Sequence, residues 1–204
     1  LRPNKVTDPA LLELLHCIPR EKFLPPALQS RAYIDEDITL GGGRYLPAPT
    51  VLARLIQAAD IQKTDTVLDI GCGTGYSTVV LGGLCKKVVG IEHDQAMATE
   101  AARLVSYFNV SNALIVQDSN IREGYTRKAP YNVILINGSV SSVPEKIKSQ
   151  LAQGGRLVTV VSAHGHMGAA VRVMRLGDNF STLSLFDAAQ PFLAGFEEKK
   201  VFVF

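Results

Sequence analysis

Three patterns are missing from this chain, and each absence narrows what it can be. It has only three cysteines, Cys17, Cys72 and Cys85, an odd number with no C-x-x-C pair. That argues against a disulfide-framed scaffold or a structural zinc site and suits a reducing cytosol. It has no surplus of one charge: 21 Lys and Arg face 19 Asp and Glu, a formal net of +2. A nucleic-acid-binding face normally shows a basic excess or clustered Lys and Arg, and neither is present, so no nucleic-acid partner is expected. It has no run of about 18 uninterrupted apolar residues, so no membrane span is expected. The sequence opens on Leu1 rather than Met, which leaves an upstream segment open. What is there is a 204-residue chain, 47% hydrophobic. That is one domain's worth, large enough to bury a core without a disulfide or a metal.

The periodicities divide the chain into two textures. Asp8 followed by Pro9 predicts a capped helix start, and Leu11, Leu12, Leu15 and Ile18 recur at helical spacing. Pro19, Pro25 and Pro26 end that helix and interrupt the next. The stretch Gly41 to Pro49 reads as irregular, and Pro49 opens a second helix whose apolar stripe includes Leu52, Leu55 and Ile56. From Thr64 onward strands and helices alternate. Strands are expected at 66–70, 87–92, 113–117, 131–136 and 155–161, with helices at about 76–84, from Asp94 to Phe108 and at about 143–151. Further strand candidates lie near 169–176, 181–187 and 199–204 without intervening helices, as in an antiparallel hairpin at a sheet edge. This pattern predicts a Rossmann-like, doubly wound α/β fold with a mostly parallel sheet and an N-terminal helical extension. Residues 1–60 form the extension and a loop, and 61–204 the Rossmann-like domain, together one compact unit.

The strongest chemical signal is Val67-Leu68-Asp69-Ile70-Gly71-Cys72-Gly73-Thr74-Gly75-Tyr76. A strand ending in an acid runs into glycines at alternate positions and then into a helix. Such a loop turns tightly, lets a ligand approach a backbone without Cβ atoms, and offers amides at a helix N-terminus. The spacing is not the G-x-G-x-x-G of a dinucleotide site, because Tyr76 stands where its third glycine would be. Glu92 ends the second strand 21 residues after Gly71, where an acid can accept both ribose hydroxyls. His93 beside it either packs near the base or is a solvated loop histidine. Asp118, after the third strand, either accepts an adenine amino proton or caps a turn. Asp69, Glu92 and Asp118 close three successive strands around one crevice. An amine, a ribose, an adenine and a positive charge together point to S-adenosylmethionine.

The run from Asp69 to Tyr76 resembles motif I of class I S-adenosylmethionine-dependent methyltransferases. Over nearly its whole length the chain resembles the protein-L-isoaspartate O-methyltransferase family. Ile18-Pro19-Arg20-Glu21-Lys22-Phe23-Leu24-Pro25 and Ala32-Tyr33-Ile34-Asp35 are similar to the family's N-terminal signatures. Gln117-Asp118-Ser119 takes the place of its G-D-G loop, with both glycines replaced. Ala129-Pro130-Tyr131-Asn132-Val133-Ile134 resembles A-P-F-D-x-I, with Asn132 for Asp, and Gln150-Leu151 with Gly154-Gly155-Arg156-Leu157-Val158 resembles Q-L-x-x-G-G-R-L-V. The resemblance implies a seven-stranded sheet of order 3-2-1-4-5-7-6. It implies cofactor binding by Asp69, Gly71, Gly73, Gly75, Glu92, His93 and Asp118. It also implies carboxyl methylation of L-isoaspartyl (or D-aspartyl) residues in damaged cytoplasmic proteins, as the first step of their repair. A carboxylate acceptor is already ionised at neutral pH, so the lack of an obvious His/Asp base fits such a reaction.

One segment departs from the family. Its substrate loop reads G-x-G-Q-T-I-S-Q-P, whereas here it reads Gly41-Gly42-Gly43-Arg44-Tyr45-Leu46-Pro47-Ala48-Pro49. Pro47 replaces the active-site serine and Ala48 the glutamine, removing a hydroxyl and an amide, so no catalytic residue is assigned. Gly43, Arg44, Tyr45 and Pro47 are the substrate-loop candidates. Arg44 either grips the acceptor carboxylate or faces solvent, and Tyr45 has the same two readings. Cys72 reads more simply as a space-filler than as a cofactor contact. His164 and His166 lack a third ligand, so no metal is expected. Ser139, Ser141 and Ser142 lie near the crevice without a His/Asp partner. Two other functions stay open: methylation of a different acceptor, such as a small metabolite, and a non-catalytic S-adenosylmethionine-binding relative.

Overall fold

The computed structural model describes residues 5–163 and 167–196. The first helix, α1 (Pro9–Cys17), starts as its residues dictate: the Asp8 carboxylate accepts from the amides of Ala10 and Leu11, and Pro9 fills the first helical position. Two short 3-10 segments, Arg20–Phe23 and Pro26–Arg31, follow the prolines. The glycine-rich stretch expected to be irregular is instead a hairpin. Strand β1 (Ile38–Gly41) pairs antiparallel with β2 (Arg44–Leu46), and Gly41, Gly42 and Gly43 all have positive φ. Consecutive left-handed residues are what lets so short a turn reverse the chain. Helix α2 (Pro49–Ala58) then buries Leu52, Ala53, Leu55 and Ile56.

The alternation continues as β3 (Thr66–Ile70), α3 (Tyr76–Gly82), β4 (Lys87–Glu92), α4 (Gln95–Tyr107), β5 (Ala113–Gln117), β6 (Tyr131–Val140), α5 (Glu145–Lys148) and β7 (Leu151–Val161). Helix α5 is one turn rather than the nine residues expected, because β7 begins already at Leu151. Strands β8 (Gly168–Leu176) and β9 (Asn179–Ala188) complete one seven-stranded sheet. Its order is β5-β4-β3-β6-β7-β8-β9; β3 to β7 are parallel, and β8 alone runs against the others, pairing antiparallel with both β7 and β9.

The doubly wound fold is therefore as expected, but its last two strands succeed one another as 3-2-1-4-5-6-7. Only Gly177 (φ 65°) and Asp178 separate β8 from β9, and β8 pairs with β7 along Arg156–Val161. A meander with such short connections lays its strands down in chain order. The strand candidate at 199–204, like His164 and His166, lies outside the described residues.

Both faces of the sheet are covered. Val67, Val133, Leu135 and Val158 pack with Leu11, Phe23, Leu52, Leu55, Val80 and Leu104 on one side. Leu68, Ile70, Ile91, Ile134, Ile136 and Leu157 pack with Ile121, Ile147 and Phe196 on the other. Strands buried on both faces are the reason these runs read as continuous apolar stretches rather than alternating ones. The carboxyl ends of β3, β4, β5 and β6 open towards the β1–β2 hairpin, which fixes where a ligand would meet this sheet. Among the described residues no helix is long and apolar enough to cross a membrane.

Candidate active site

The turn after β3 is held from beneath. The amides of Gly71 and Cys72 both donate to the Ile91 carbonyl, at 2.8 and 3.2 Å, and the Gly73 amide donates to Glu92 Oε2 at 2.7 Å. Gly75 sits at φ 92°, and a Cβ there would lie 3.0 Å from the Ala101 Cβ of α4, so only glycine lets α3 start this close to its neighbour. Cys72 is buried in the loop, and burial pushes its thiol well above the ordinary range, as suits a space-filler.

Asp69 is fully buried and bonded on both oxygens. Oδ2 accepts from the hydroxyls of Ser77 (2.7 Å) and Thr78 (2.6 Å), and Oδ1 accepts from the Asn137 amide nitrogen. Burial raises its carboxyl to about 6, against the opposing pull of the Thr78 and Ser77 hydroxyls. Its side chain thus ties the start of α3 to the end of β6. Asn137 carries no helical or alternating signal in the sequence; its only mark is a polar residue closing the apolar run of β6. It also donates to Ser77 Oγ at 2.9 Å, while its own Oδ1 is buried without a hydrogen-bond partner.

Glu92 stands at the end of β4, where the ribose acid is expected, and is fully buried. Oε1 accepts from the amides of His93 (2.9 Å) and Asp94 (3.1 Å), and Oε2 from the Gly73 amide. The remaining capacity of both oxygens goes to Arg44. Its Nε lies 3.1 and 3.2 Å from Oε1 and Oε2, and its Nη2 lies 2.8 Å from Oε2 and also donates to the Gly71 carbonyl. Burial alone would push the Glu92 carboxyl up; the Arg44 charge and these hydrogen bonds outweigh it and hold it below the ordinary carboxylate value. Arg44 is 1% exposed. It therefore does not face solvent; it lines the same narrow cleft as Tyr45 and Pro47, with its guanidinium engaged by Glu92 and the Gly71 carbonyl. It reaches across from β2 and lies on the glycine loop.

The other expected residues surround this pair. The ring of His93, about a third exposed, places Nδ1 2.9 Å from Glu92 Oε1. His93 opens with Ser119, Asn120 and Arg122 onto a cavity of about 190 Å³ at the mouth of the crevice. Asp118 is half-buried; its amide donates to the Glu92 carbonyl and its Oδ1 accepts from the Asn120 amide at 2.9 Å, a turn cap. Pro47 is buried and its carbonyl accepts from Arg20, while the Ala48 amide donates to Asp37 Oδ1 at 2.8 Å. Tyr45 and Pro47 share a cleft with Asn137, Gly138 and Leu193 that encloses only about 10 Å³, room for about one water. Ser139 is fully buried, its amide and carbonyl bonded to Pro191 and Leu193, so it is part of the wall. Leu193, in the tail after β9, gives no sequence signal because it belongs to no periodic element. It is 1% exposed and covers both Gly71 and Gly138.

The frame suits S-adenosylmethionine: a glycine loop bare of Cβ atoms, a buried acid at the ribose position, and a polar mouth beside it. A Cβ on Gly71 would lie 2.6 Å from Leu193 Cδ1 and 2.7 Å from Arg44 Nη2. The face of the loop that glycine keeps open is thus covered by this chain's own side chains.

Comparisons with known proteins agree with this frame. A solved protein-L-isoaspartate O-methyltransferase superposes with a TM-score of 0.81 at 24% identity, covering 95% of this chain and 63% of that one. A Plasmodium falciparum chain assigned to the same enzyme, solved with S-adenosyl-L-homocysteine, superposes with a TM-score of 0.77 at 19% identity, covering 95% and 94%. Among curated relatives, the protein-L-isoaspartate O-methyltransferase of Proteus mirabilis is 32% identical over 91% of this chain and 88% of its own length. One from Rhodopseudomonas palustris is 34% identical over 83% and 69%. Residues 1–184 match the family model of protein-L-isoaspartate(D-aspartate) O-methyltransferase, and the chain belongs to that family.

Proposed function

We propose that this chain is an S-adenosylmethionine-dependent O-methyltransferase that methylates the carboxylate of L-isoaspartyl (or D-aspartyl) residues in damaged proteins, a repair reaction. The observation that carries this reading is the glycine loop with Glu92 at the end of β4, in a chain that matches the family over residues 1–184. The family's methyltransferases use S-adenosylmethionine, which when bound supplies a methyl group on a sulfonium for in-line transfer to a carboxylate oxygen. The remaining work falls to the chain itself. Gly71, Gly73 and Gly75 let a ligand lie against the backbone, Glu92 accepts from hydroxyls, and His93 and Asp118 flank the base end. Asp69 acts from behind, by holding α3 against β6 through Ser77, Thr78 and Asn137. An ionised acceptor needs no proton removed, so positioning and exclusion of water are what the protein contributes.

The extension formed by residues 1–60 serves in this reading as a cover whose hairpin, with Gly43, Tyr45 and Pro47, meets the acceptor above the domain formed by 61–204. With Pro47 and Ala48 in place of a serine and a glutamine, those two positions offer the acceptor no side-chain hydroxyl or amide. A reducing cytoplasm suits the three free cysteines. The test is transfer of labelled methyl from S-adenosylmethionine to an isoaspartyl peptide, run beside the matching aspartyl peptide and a panel of metabolites. Base-labile label on the isoaspartyl peptide alone supports the proposal. Label on a metabolite, or on no acceptor, would overturn it.

A further inference from the structure

Arg44 lies on the same carboxylate and the same bare backbone that the proposed cofactor needs. Both Glu92 oxygens are engaged by Arg44 as well as by the amides of Gly73, His93 and Asp94, which leaves no favourable acceptor geometry for two incoming ribose hydroxyls. Arg44 Nη2 and Leu193 Cδ1 together cover Gly71. The cleft between the hairpin and β6 encloses only about 10 Å³, while the base end beside His93 and Asp118 opens onto cavities of about 190 and 630 Å³, so the closure is confined to the loop and the ribose acid.

The closure is built, not incidental. A buried charge-assisted pair of this geometry is costly to leave half-made, because either partner alone would be an uncompensated charge out of water, and its two partners come from separate elements. The hairpin that delivers Arg44 turns at the run of positive-φ residues Gly41 to Gly43. A Cβ added at Gly41 would meet nothing within 4 Å, and one at Gly42 or Gly43 would come no nearer than 3.9 Å to Asp94 Oδ2 or 3.7 Å to Ala194 Cβ. The three turn glycines are exposed, while the side chain that follows them is buried on Glu92.

We infer that Arg44 is a latch: in the ligand-free protein it occupies the cofactor's ribose position on Glu92, and the cofactor binds only as the β1–β2 hairpin withdraws it. This rests on the proposed cofactor reading. A competitor held inside the chain lowers apparent affinity by the fraction of molecules in which it is released. Removing the latch must therefore tighten binding, whereas removing a residue that holds the ligand would weaken it. Linkage also requires the reverse effect, so that bound cofactor frees the hairpin.

The probe is S-adenosyl-L-homocysteine, titrated calorimetrically into wild type, Arg44→Ala, Arg44→Lys and Leu193→Ala. Arg44→Ala should bind at least about tenfold more tightly than wild type, a shift of the size that withdrawing a latch populated in nine molecules of ten would give. Arg44→Lys, with a point charge in place of the planar fork, should fall between them. Leu193→Ala opens the space over Gly71 without touching the charge pair, should tighten binding by a smaller factor, and keeps the test informative if Arg44→Ala does not fold. Hydrogen exchange should show the amides of Ile38–Leu46 less protected when the ligand is bound to wild type. Equal or weaker binding by Arg44→Ala and Arg44→Lys, with wild type binding well, would overturn the latch while leaving the methyltransferase reading intact. No binding by any of the four proteins would overturn both, because the cofactor itself would then be wrong.

Discussion

Two regions meet over the β3–β4 edge, and they respond oppositely to reading from sequence. The segment Thr66–Asp94 forms the strand, glycine turn, helix and terminal acid expected of it. The segment Ile38–Pro49 forms a hairpin where an irregular loop is expected, and sends its arginine inward to Glu92 rather than towards solvent. The first region is determined by backbone requirements that residue types reveal directly: glycine where φ is positive, an apolar run where both faces are buried. The second is determined by one long-range pair, Arg44 with Glu92, separated by 48 residues. A local pattern carries no information about which distant carboxylate a guanidinium will find.

The sharpest way to break this comparison is to remove the shared carboxylate. Glu92→Ala leaves Arg44 buried without its counter-charge, so stability should fall by about 3–5 kcal/mol. The midpoint of urea unfolding reads this, and a fall of less than about 1 kcal/mol would show that the pair is not dry. Next in size is a pH effect within the backbone-determined region. Asp69 has its carboxyl raised from 3.8 to about 6, so between those values the folded chain holds more protons than the unfolded one. Stability must therefore decline as pH rises through that window, by about 3 kcal/mol in all if the group is isolated from other titrations. Asp69→Asn should flatten that part of the pH–stability curve.

Gly71→Ala tests the point where the regions touch. Its Cβ would lie 2.6 Å from Leu193 and 2.7 Å from Arg44 at a φ of 74°, so a loss of about 2 kcal/mol is expected. Adding Leu193→Ala should recover part of it, as a double-mutant cycle in thermal or urea unfolding would reveal. The smallest effect expected is on catalysis. The Pro47 carbonyl and the Ala48 amide are anchored by Arg20 and Asp37, so the loop's backbone should keep its place when the side chains change. Both side chains are buried, so Pro47→Ser with Ala48→Gln should cost about 1–2 kcal/mol in urea unfolding. It should raise methyl transfer to an isoaspartyl peptide about tenfold, the value of roughly one hydrogen bond to a charged group.

Much of this site is legible in the residues themselves, for physical reasons that differ from one to the next. Gly71, Gly73 and Gly75 announce themselves because no other residue sits easily at φ values of 74°, 56° and 92°. Glu92 and Asp118 are legible as the ends of successive parallel strands, which must lie side by side at one sheet edge. Asp69 is legible as the acid of its strand, but its bonding to Ser77, Thr78 and Asn137 depends on the start of α3 and residue 137 of β6 converging on it from separate parts of the chain. Leu193 is invisible in the sequence because the tail after β9 has no periodicity; the bridge of Ser139 with Phe192 helps bring it over the glycine loop. The order of the last two strands cannot come from apolar runs alone, since it depends on which strand of the final hairpin joins the sheet, here settled by β8 pairing antiparallel with β7 along Arg156–Val161.

The measurement that bears most directly on the central claim is a crystal structure of the protein with S-adenosyl-L-homocysteine bound. The account predicts ribose hydroxyls on Glu92, the homocysteine end lying over Gly71 and Gly73, and Arg44 drawn out of the crevice with its hairpin displaced. Ligand bound elsewhere, or at the glycine loop with the Arg44–Glu92 pair unbroken, would contradict it.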